Sequence, residues 1–285
     1  MLLPLVDDNP TRRTPMVTIG LIVINTLVLV YTWFLPPVEH DLFLLTHGFI
    51  PQRLNQVFDP SVEVEIDLQR LLQTPEGQQL LAETPEAGVV TVPRNVSATL
   101  TTIFTSLFLH AGIVHLVGNM WFLWLFGNNI EDRLGHFPFF LFYLAGGIVA
   151  SLCHWVAVAD GGAILPTVGA SGAVSAVLGA YAVTYPQARV RCLLLLFIIL
   201  LFVDLPAIVV LGLWIGMQVI QGFGAIQLGT DGGVAWWAHI GGFAWGAVLM
   251  PILAMLIVDR TYHAPSQHSL GLTTWDAFVA GRNRL

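Results

Sequence analysis

One serine lies between glycines at the predicted start of an apolar helix. The stretch Gly169-Ala-Ser-Gly172 leaves the backbone around Ser171 open, so another helix or an extended peptide can approach it. A serine at a helix start also lies beside unpaired N–H groups, which stabilise a developing oxyanion. Taken alone, the spacing of small residues favours helix packing over nucleophilic chemistry.

Three other polar residues could complete a nucleophilic site around Ser171. His239 stands near the start of a second apolar helix and is the side chain that most often acts as a general base. His115 and Asn119 are four residues apart, which places them on one face of a third helix. The four side chains are of the types that acyl transfer requires, if the fold brings them together.

The composition indicates a membrane protein. Hydrophobic residues make up 55% of the 285 residues, charged residues only 10%, and the mean hydropathy is +0.75. A net charge of −7 without a basic cluster argues against nucleic-acid binding. There is no His-Glu-x-x-His motif, and His115 with Asn119 is a poor metal pair, so we expect no metal and no cofactor.

Apolar runs of spanning length predict an all-α polytopic membrane protein with six transmembrane helices. Met16–Leu35 is too long for a signal peptide and is expected to be a retained first span. Pro186 should end the span that begins at Ser171, because proline cannot continue a helix. The six predicted spans are Met16–Leu35, Ile113–Gly127, Phe137–Val158, Ser171 to Pro186, Pro206–Gly224 and Trp236–Val258.

The segments between the spans divide the chain into three parts. Residues 1–15 form an N-terminal segment, 16–258 the membrane domain, and 259–285 a C-terminal tail, with a long first loop at about 36–109. In that loop Val64–Leu81 is equally compatible with a helix on the membrane surface and with a small solvated helix. Asn128–Gly135 is expected to be a polar turn, Asp160–Gly162 a turn on the opposite side, and Leu193–Val203 a segment along the membrane face.

Arginine counts predict the orientation. Most arginines fall on one side of a six-span chain, which places both termini in the cytoplasm. Spans two, four and six then run in the same direction, so Ser171, His239, His115 and Asn119 lie at one depth in the outer half of the membrane. Polar residues there are costly and normally face a partner or a wet cavity. Interhelical hydrogen bonding, worth about 0.6 kcal/mol on average, is the alternative; four such residues together favour chemistry.

Glycines explain how two of these helices could approach each other. Gly242 and Gly246 form a small-residue face on span six, and Gly172 with Gly179 offers a matching face on span four. Close approach of the two spans would bring His239 within hydrogen-bond reach of Ser171.

Three motifs together resemble the rhomboid family of intramembrane serine proteases. They are Gly169-Ala-Ser-Gly172, Ala238-His-x-x-Gly-x-x-x-Gly246 and His115-x-x-x-Asn119, supported by Glu131-Asp-Arg-Leu-Gly135 and Leu205-Pro-Ala with Trp214 and Gln218. The resemblance covers about Met16 to Val258. It implies a six-helix fold and an integral multi-pass protein, which we expect in a bacterial plasma membrane.

The resemblance also implies roles for individual residues. Ser171 would be the nucleophile and His239 the base of a dyad, and His115, Asn119 and the Ser171 N–H the oxyanion hole. His110, Gly169, Gly172, Gly242 and Gly246 would support the site, while Trp214, Gln218, Asp231–Trp237 and above all Trp236 would form the gate and cap. Ser175 stands where many family members have an aromatic ring under the histidine; its hydroxyl could instead bond the imidazole.

The implied reaction is hydrolysis of a peptide bond near the outer end of a membrane protein's transmembrane helix, through an acyl-enzyme on Ser171. Transmembrane proteins and the lipid bilayer are the expected partners, with small residues before the cleaved bond. A rhomboid-like pseudoprotease that binds membrane clients without cutting them is the main alternative. A small transporter or channel is the other, although acidic pairs inside the spans are lacking.

Overall fold

The structure is a computed structural model that describes residues 2–72, 74–84, 88–158, 165–196, 199–228 and 234–256. The predicted turn Asp160–Gly162, the first residues of the predicted cap at 231–233, and the C-terminal tail 259–285 lie outside the described residues.

Helices dominate the described residues. They are α1 (Met16–Trp33), α2 (Pro37–His47), α3 (Pro51–Phe58), α4 (Leu68–Leu71), α5 (Pro75–Glu83), α6 (Val96–Thr105), α7 (Ile113–Phe122), α8 (Asn128–Leu134), α9 (His136–Val158), α10 (Ser171–Thr184), α11 (Ala207–Leu228) and α12 (Trp236–Leu256). A 3₁₀ turn, Ser106–Phe108, follows α6, and a π-helical turn, Leu123–Gly127, joins α7 to α8. The described strands are β1 (Leu2–Asp7), β2 (Val64–Asp67), β3 (Val89–Val92), β4 (Arg189–Leu196) and β5 (Ile199–Pro206).

Four of these helices are long and apolar enough to cross a membrane: α1, α9, most of α11 and α12. The helical segments Val96–Phe108 and Ile113–Leu134 are bent by 78° at a short break and give a fifth candidate if they count as one span. The apolar helix α10 has only 14 residues. The described chain is therefore a mostly helical, multi-pass integral membrane protein.

The short helix α10 lies in the centre of the bundle, packed mainly against α12 and α9. Nearly all its residues after Ser171 are buried. Glycines allow the close packing, because a Cβ atom at any of three glycines would overlap a backbone carbonyl of the facing helix. The three contacts are Gly242 on Gly172, Gly246 on Ala176, and Gly179 on Phe243. The predicted small-residue interface between spans four and six is therefore confirmed.

The prediction that span two ends at Gly127 in a polar turn is wrong. The helix continues without a break to Leu134, and Glu131, Asp132 and Arg133 in its last turn are buried. Glu131 accepts hydrogen bonds from the Val17 and Thr18 amides of α1 at 2.8 and 2.7 Å. The first amides of a helix have no partner inside it, so a carboxylate from a neighbouring helix can satisfy them.

The prediction of an all-α fold is also wrong in part. Leu193–Val203 lies within an antiparallel hairpin of β4 and β5, in which Leu196 pairs with Ile199, and β1 adds to the other edge of β4. An apolar run between two prolines does not by itself distinguish strand from helix. Strand pairing satisfies its backbone groups without a full span. Residues 2–7 are therefore part of a sheet.

The first loop contains α2 to α6 and a two-stranded sheet. A single helix over Val64–Leu81 is wrong: the stretch forms β2, α4 and the first part of α5. Val64 and Ile66 alternate with polar residues and are buried, which is the period of a strand, and β2 pairs with β3. Pro75 begins α5, with Thr74 Oγ1 accepting from the Gly77 amide as its cap.

Strand β1 is linked to the far end of α10 by Asp7. One carboxylate oxygen of Asp7 accepts from the Tyr181 hydroxyl and from Asn129 Nδ2, both at 2.8 Å. Burial raises the pKa of the Asp7 carboxyl to about 6, although these two hydrogen bonds act to lower it. The sheet therefore lies at the end of α10 opposite to Ser171.

Candidate active site

Ser171 and His239 are in direct contact. Ser171 is the first residue of α10, and His239 lies one turn into α12, where the glycine interface holds the two helices together. The distance from His239 Nε2 to Ser171 Oγ is 2.8 Å. The expected hydrogen bond is therefore present, and a neutral imidazole can accept the serine proton if its own proton is on Nδ1.

The second ring nitrogen of His239 faces α11. His239 Nδ1 lies 2.7 Å from Gln218 Oε1, and Gln218 is 7% exposed. The resemblance places Gln218 in the gate and does not predict its contact with His239. The only signal was the spacing of Trp214 and Gln218, which are four residues apart and share one face of α11.

Two tryptophans surround the imidazole of His239. The Trp214 ring is tilted over it at a centroid distance of 5.9 Å, and the Trp236 ring meets it edge-on at 6.2 Å. The suggested bond from Ser175 to the imidazole is wrong, because Ser175 Oγ donates to the Ser171 carbonyl oxygen at 2.6 Å. A hydroxyl inside a helix readily bonds the carbonyl four residues earlier. The aromatic contacts to His239 therefore come from α11 and α12.

Hydrogen-bond donors converge on the chain just before Ser171. Gly169 has φ +126°, a conformation that favours glycine, and a Cβ there would lie 2.7 Å from His115 Cε1 and 3.6 Å from Asn119 Nδ2. Val174 is the first residue of α10 to bond back along the helix, to Ala170. The earlier N–H groups of α10, Ser171 among them, thus have no partner within the helix.

His110 holds the amide of Asn119. Asn119 Nδ2 donates to His110 Nε2 at 3.0 Å, and His110 is 1% exposed. The His110 ring also meets the His115 ring edge-on at 5.1 Å. His110 is thus placed to orient both polar side chains of α7, in keeping with the supporting role suggested by the sequence.

No group of three or more His, Cys, Asp or Glu residues that could hold a metal ion occurs in the described part of the chain. The side chains and backbone of the site provide a hydroxyl, an imidazole that can accept its proton, and donors beside the hydroxyl.

The fold and site together define a helical integral membrane protein in which a half-buried serine at the start of a short central helix contacts a half-buried histidine on a neighbouring helix. Residues 97–256, more than half of the chain, match the family model described as the Rhomboid domain. The chain therefore belongs to the rhomboid family, as the sequence motifs indicated.

Curated relatives match over a shorter stretch. Presenilin-associated rhomboid-like protein A, mitochondrial, of Danio rerio is 36% identical over 90 residues, covering 32% of this chain and 24% of the relative. The Homo sapiens Presenilin-associated rhomboid-like protein, mitochondrial, is 33% identical with the same coverage. Rhomboid-like protein 11, chloroplastic, of Arabidopsis thaliana is 40% identical over 74 residues, 25% of this chain and 24% of the relative.

The matched stretch spans about a quarter of the length of each of these relatives. Their names place them in mitochondria and chloroplasts, so the comparisons do not support the expected bacterial plasma membrane. They do agree with a multi-pass membrane protein of the rhomboid family.

Proposed function

We propose that this protein is an intramembrane serine endopeptidase that hydrolyses a peptide bond near one end of a transmembrane helix in its substrates. The observation that carries the proposal is the 2.8 Å contact between His239 Nε2 and Ser171 Oγ, with His115 and Asn119 beside the backbone that leads into Ser171. A nucleophile within hydrogen-bond reach of its base is the geometric requirement for this chemistry.

In the proposed reaction His239 accepts the Ser171 proton as Oγ attacks the substrate carbonyl carbon. The carbonyl oxygen becomes an oxyanion that accepts hydrogen bonds from His115, Asn119 and the Ser171 amide. His239 then protonates the leaving amine, and an ester remains on Ser171. A water molecule, deprotonated by His239, releases the new carboxylate and restores Ser171. Loss of one oxyanion donor typically lowers the rate by about 10²–10³-fold.

The proposed topology has six spans, with α10 as the short central one and both termini in the cytoplasm. Its support is that arginines gather at the end of the bundle opposite to Ser171. The Arg13 amide donates to Asp132 at 3.0 Å, and Arg189 begins β4 just beyond α10, where β1 pairs with it. A concentration of arginine at one end is typical of the cytoplasmic side.

The length of α10 bears on the access of water. Fourteen residues of α-helix span about 21 Å, and the bilayer core is about 30 Å thick. With the arginine end at the cytoplasmic surface, Ser171 lies below the outer surface, at a depth that water can reach from outside. The substrate helix must then unwind there to expose its carbonyl, which favours helix-weakening and small residues. Trp214 on α11 and Trp236 on α12 would line its entry.

The test uses purified protein in lipid vesicles, with a substrate that carries one transmembrane helix. The helix bears glycines near its outer end, and a matched substrate bears leucines there. We expect cleavage of the glycine substrate and covalent labelling of the protein by a fluorophosphonate. Ser171→Ala should abolish both, whereas Ser175→Ala, one turn along the same helix, should keep activity within about threefold because its hydroxyl only bonds a helix carbonyl.

Cleavage that persists in Ser171→Ala would refute the proposal. Wild-type protein that binds the substrate helix but neither cleaves it nor reacts with the probe would instead support a client-binding rhomboid-like pseudoprotease.

A further inference from the structure

The contact between Gln218 and His239 adds a third side chain to the serine–histidine pair. The imidazole lies between two hydrogen-bonding neighbours, with Ser171 Oγ at 2.8 Å from Nε2 and Gln218 Oε1 at 2.7 Å from Nδ1. The three side chains come from three different helices, α10, α12 and α11.

We propose that Gln218 is a positioning residue, which accepts the Nδ1 proton of His239 and thereby keeps Nε2 free to take the proton of Ser171. The proposal rests on the function proposed above. Gln218 touches neither the reacting hydroxyl nor the substrate carbonyl in this mechanism, and it acts through His239 alone.

The argument depends on the single proton of a neutral imidazole. If that proton is on Nδ1, it needs an acceptor, and the amide oxygen of Gln218 supplies one at hydrogen-bonding distance. If it is on Nε2, the ring can no longer accept from Ser171. The ring nitrogen that carries the proton is set by the bond that the other nitrogen makes. The Gln218 oxygen therefore selects the tautomer that can act as a base.

Burial makes this selection effective. Gln218 is 7% exposed, and in the described residues the hydrogen bonds of the His239 ring go to Ser171 and Gln218, with no carboxylate among them. Water is therefore poorly placed to replace the amide if it is removed. Trp214, one turn earlier on α11, packs on the same imidazole at 5.9 Å and limits its rotation. One face of α11 thus sets both the tautomer and the orientation of His239.

The test compares the same substitution at two positions of α11. Gln218→Met removes the acceptor with little change in side-chain length, and Gln221→Met makes the identical change on an exposed residue three positions later. We expect Gln218→Met to lower kcat about 10- to 100-fold, as the loss of one hydrogen bond in a buried site does. KM should stay within about twofold, and Gln221→Met should match wild type in both constants.

A second readout does not depend on cleavage. In protein labelled with ¹⁵N-histidine, the His239 signals are identified by their loss in His239→Ala. We expect wild type and Gln221→Met to show the proton of neutral His239 on Nδ1, and Gln218→Met to show a substantial fraction with the proton on Nε2. Because the wild-type spectrum reports the tautomer directly, it tests the proposal even if Gln218→Met does not fold.

The outcomes separate this proposal from the proposed function. Wild-type His239 with its proton on Nε2, or a Gln218→Met variant with wild-type kcat and tautomer, would overturn the role of Gln218. An equal fall in kcat in Gln221→Met would also overturn it, since the loss would then come from a general disturbance of α11 and not from the contact with His239. If wild type does not cleave, yet Gln218→Met moves the proton from Nδ1, the protease assignment fails and the positioning role stands.

Discussion

Gly246 of α12 lies so close to Ala176 of α10 that a Cβ at Gly246 would overlap the Ala176 carbonyl oxygen. This contact is about one turn along the interface from the one between Gly242 and Gly172, which lies next to Ser171. The separation of Ser171 from His239 therefore depends on the absence of a side chain at Gly246.

We expect Gly246→Ala to destabilise the protein by about 1–3 kcal/mol, the usual cost of overpacking, and to lower cleavage because the helices that carry the dyad move apart. Thermal unfolding and substrate turnover measure the two effects. Gly20→Ala is the matched control, because a Cβ at Gly20 of α1 meets nothing within 4 Å. Equal stability of the two variants would show that the interface tolerates a methyl group.

Gly169→Ala should reduce catalysis with little loss of substrate binding. Its φ of +126° is strained for alanine, and the added methyl group would press on the His115 ring. Displacement of an oxyanion donor predicts a fall in kcat of about 10²–10³-fold.

Gly112→Ala serves as the control for Gly169→Ala, because its φ of 170° suits any residue and a Cβ there meets nothing within 4 Å. Steady-state kinetics of the two variants measure the changes in kcat and KM separately. A rise in KM with unchanged kcat would argue against a role for this turn in stabilising the oxyanion.

Glu131→Gln should lower stability without changing the chemistry at Ser171. In addition to the Val17 and Thr18 amides, Glu131 accepts from Thr18 Oγ1 at 2.7 Å and contacts His136 Nδ1 at 2.6 Å. An amide has one acceptor oxygen in place of two, so buried donors lose partners at a cost of about 1–3 kcal/mol.

Thermal unfolding of Glu131→Gln should be compared with that of Glu65→Gln, which makes the same change on an exposed residue of β2. Turnover measured well below the unfolding temperature should be unchanged in both variants. A specific loss of kcat in Glu131→Gln would contradict a purely structural role.

Asp7→Asn should change how stability depends on pH. Burial raises the pKa of Asp7 from 3.8 to about 6, so between these values the folded protein binds more protons than the unfolded chain. The stability that Asp7 contributes relative to asparagine is thus present below about pH 4 and is lost as the pH rises through about 6. As the pH rises across this range, the stability of Asp7→Asn should therefore increase relative to that of wild type, by up to about 3 kcal/mol.

Unfolding measured at pH 4.5 and pH 7.5 tests this prediction, with Asp59→Asn as a contrast. Hydrogen bonds from the Ser61 hydroxyl and amide lower the pKa of Asp59 from 3.8, so its contribution is lost only as the pH falls below about 4, outside this range. Asp7→Asn should therefore change the difference in stability between the two pH values, whereas Asp59→Asn should leave that difference nearly unchanged. A parallel response would mean that Asp7 is not protonated preferentially in the folded state.

Much of the candidate site could be predicted because the position of a residue along a membrane helix sets its depth in the bilayer. Once the apolar runs were arranged in order, Ser171, His239, His115 and Asn119 fell at one level, and the glycine spacing indicated which helices touch. The contact of Gln218 with His239 could not be predicted, because two helices with apolar faces can be rotated against each other in several ways. Only packed coordinates show which polar side chain of α11 reaches the ring.

The hairpin of β4 and β5 shows the same limit in the fold. Its leucines and isoleucines are compatible with a strand as well as with a helix. Strand formation depends on the pairing of β4 with β1, whose residues are more than 180 positions earlier in the chain. Glu131 is similar: its charge suggested an exposed turn, whereas the amides at the start of α1 provide the partners that allow its burial.

The sequence by itself therefore determined the properties that local chemistry and hydropathy control: a membrane protein, the approximate spans, Ser171 and His239 as the candidate pair, and the small-residue interface between their helices. The tertiary structure alone decided which partners satisfy the buried polar groups, from Gln218 at His239 to Glu131 at α1 and β1 at β4. The physical reason is that burial away from water makes an unpaired polar group costly, and its partner can come from anywhere in the chain.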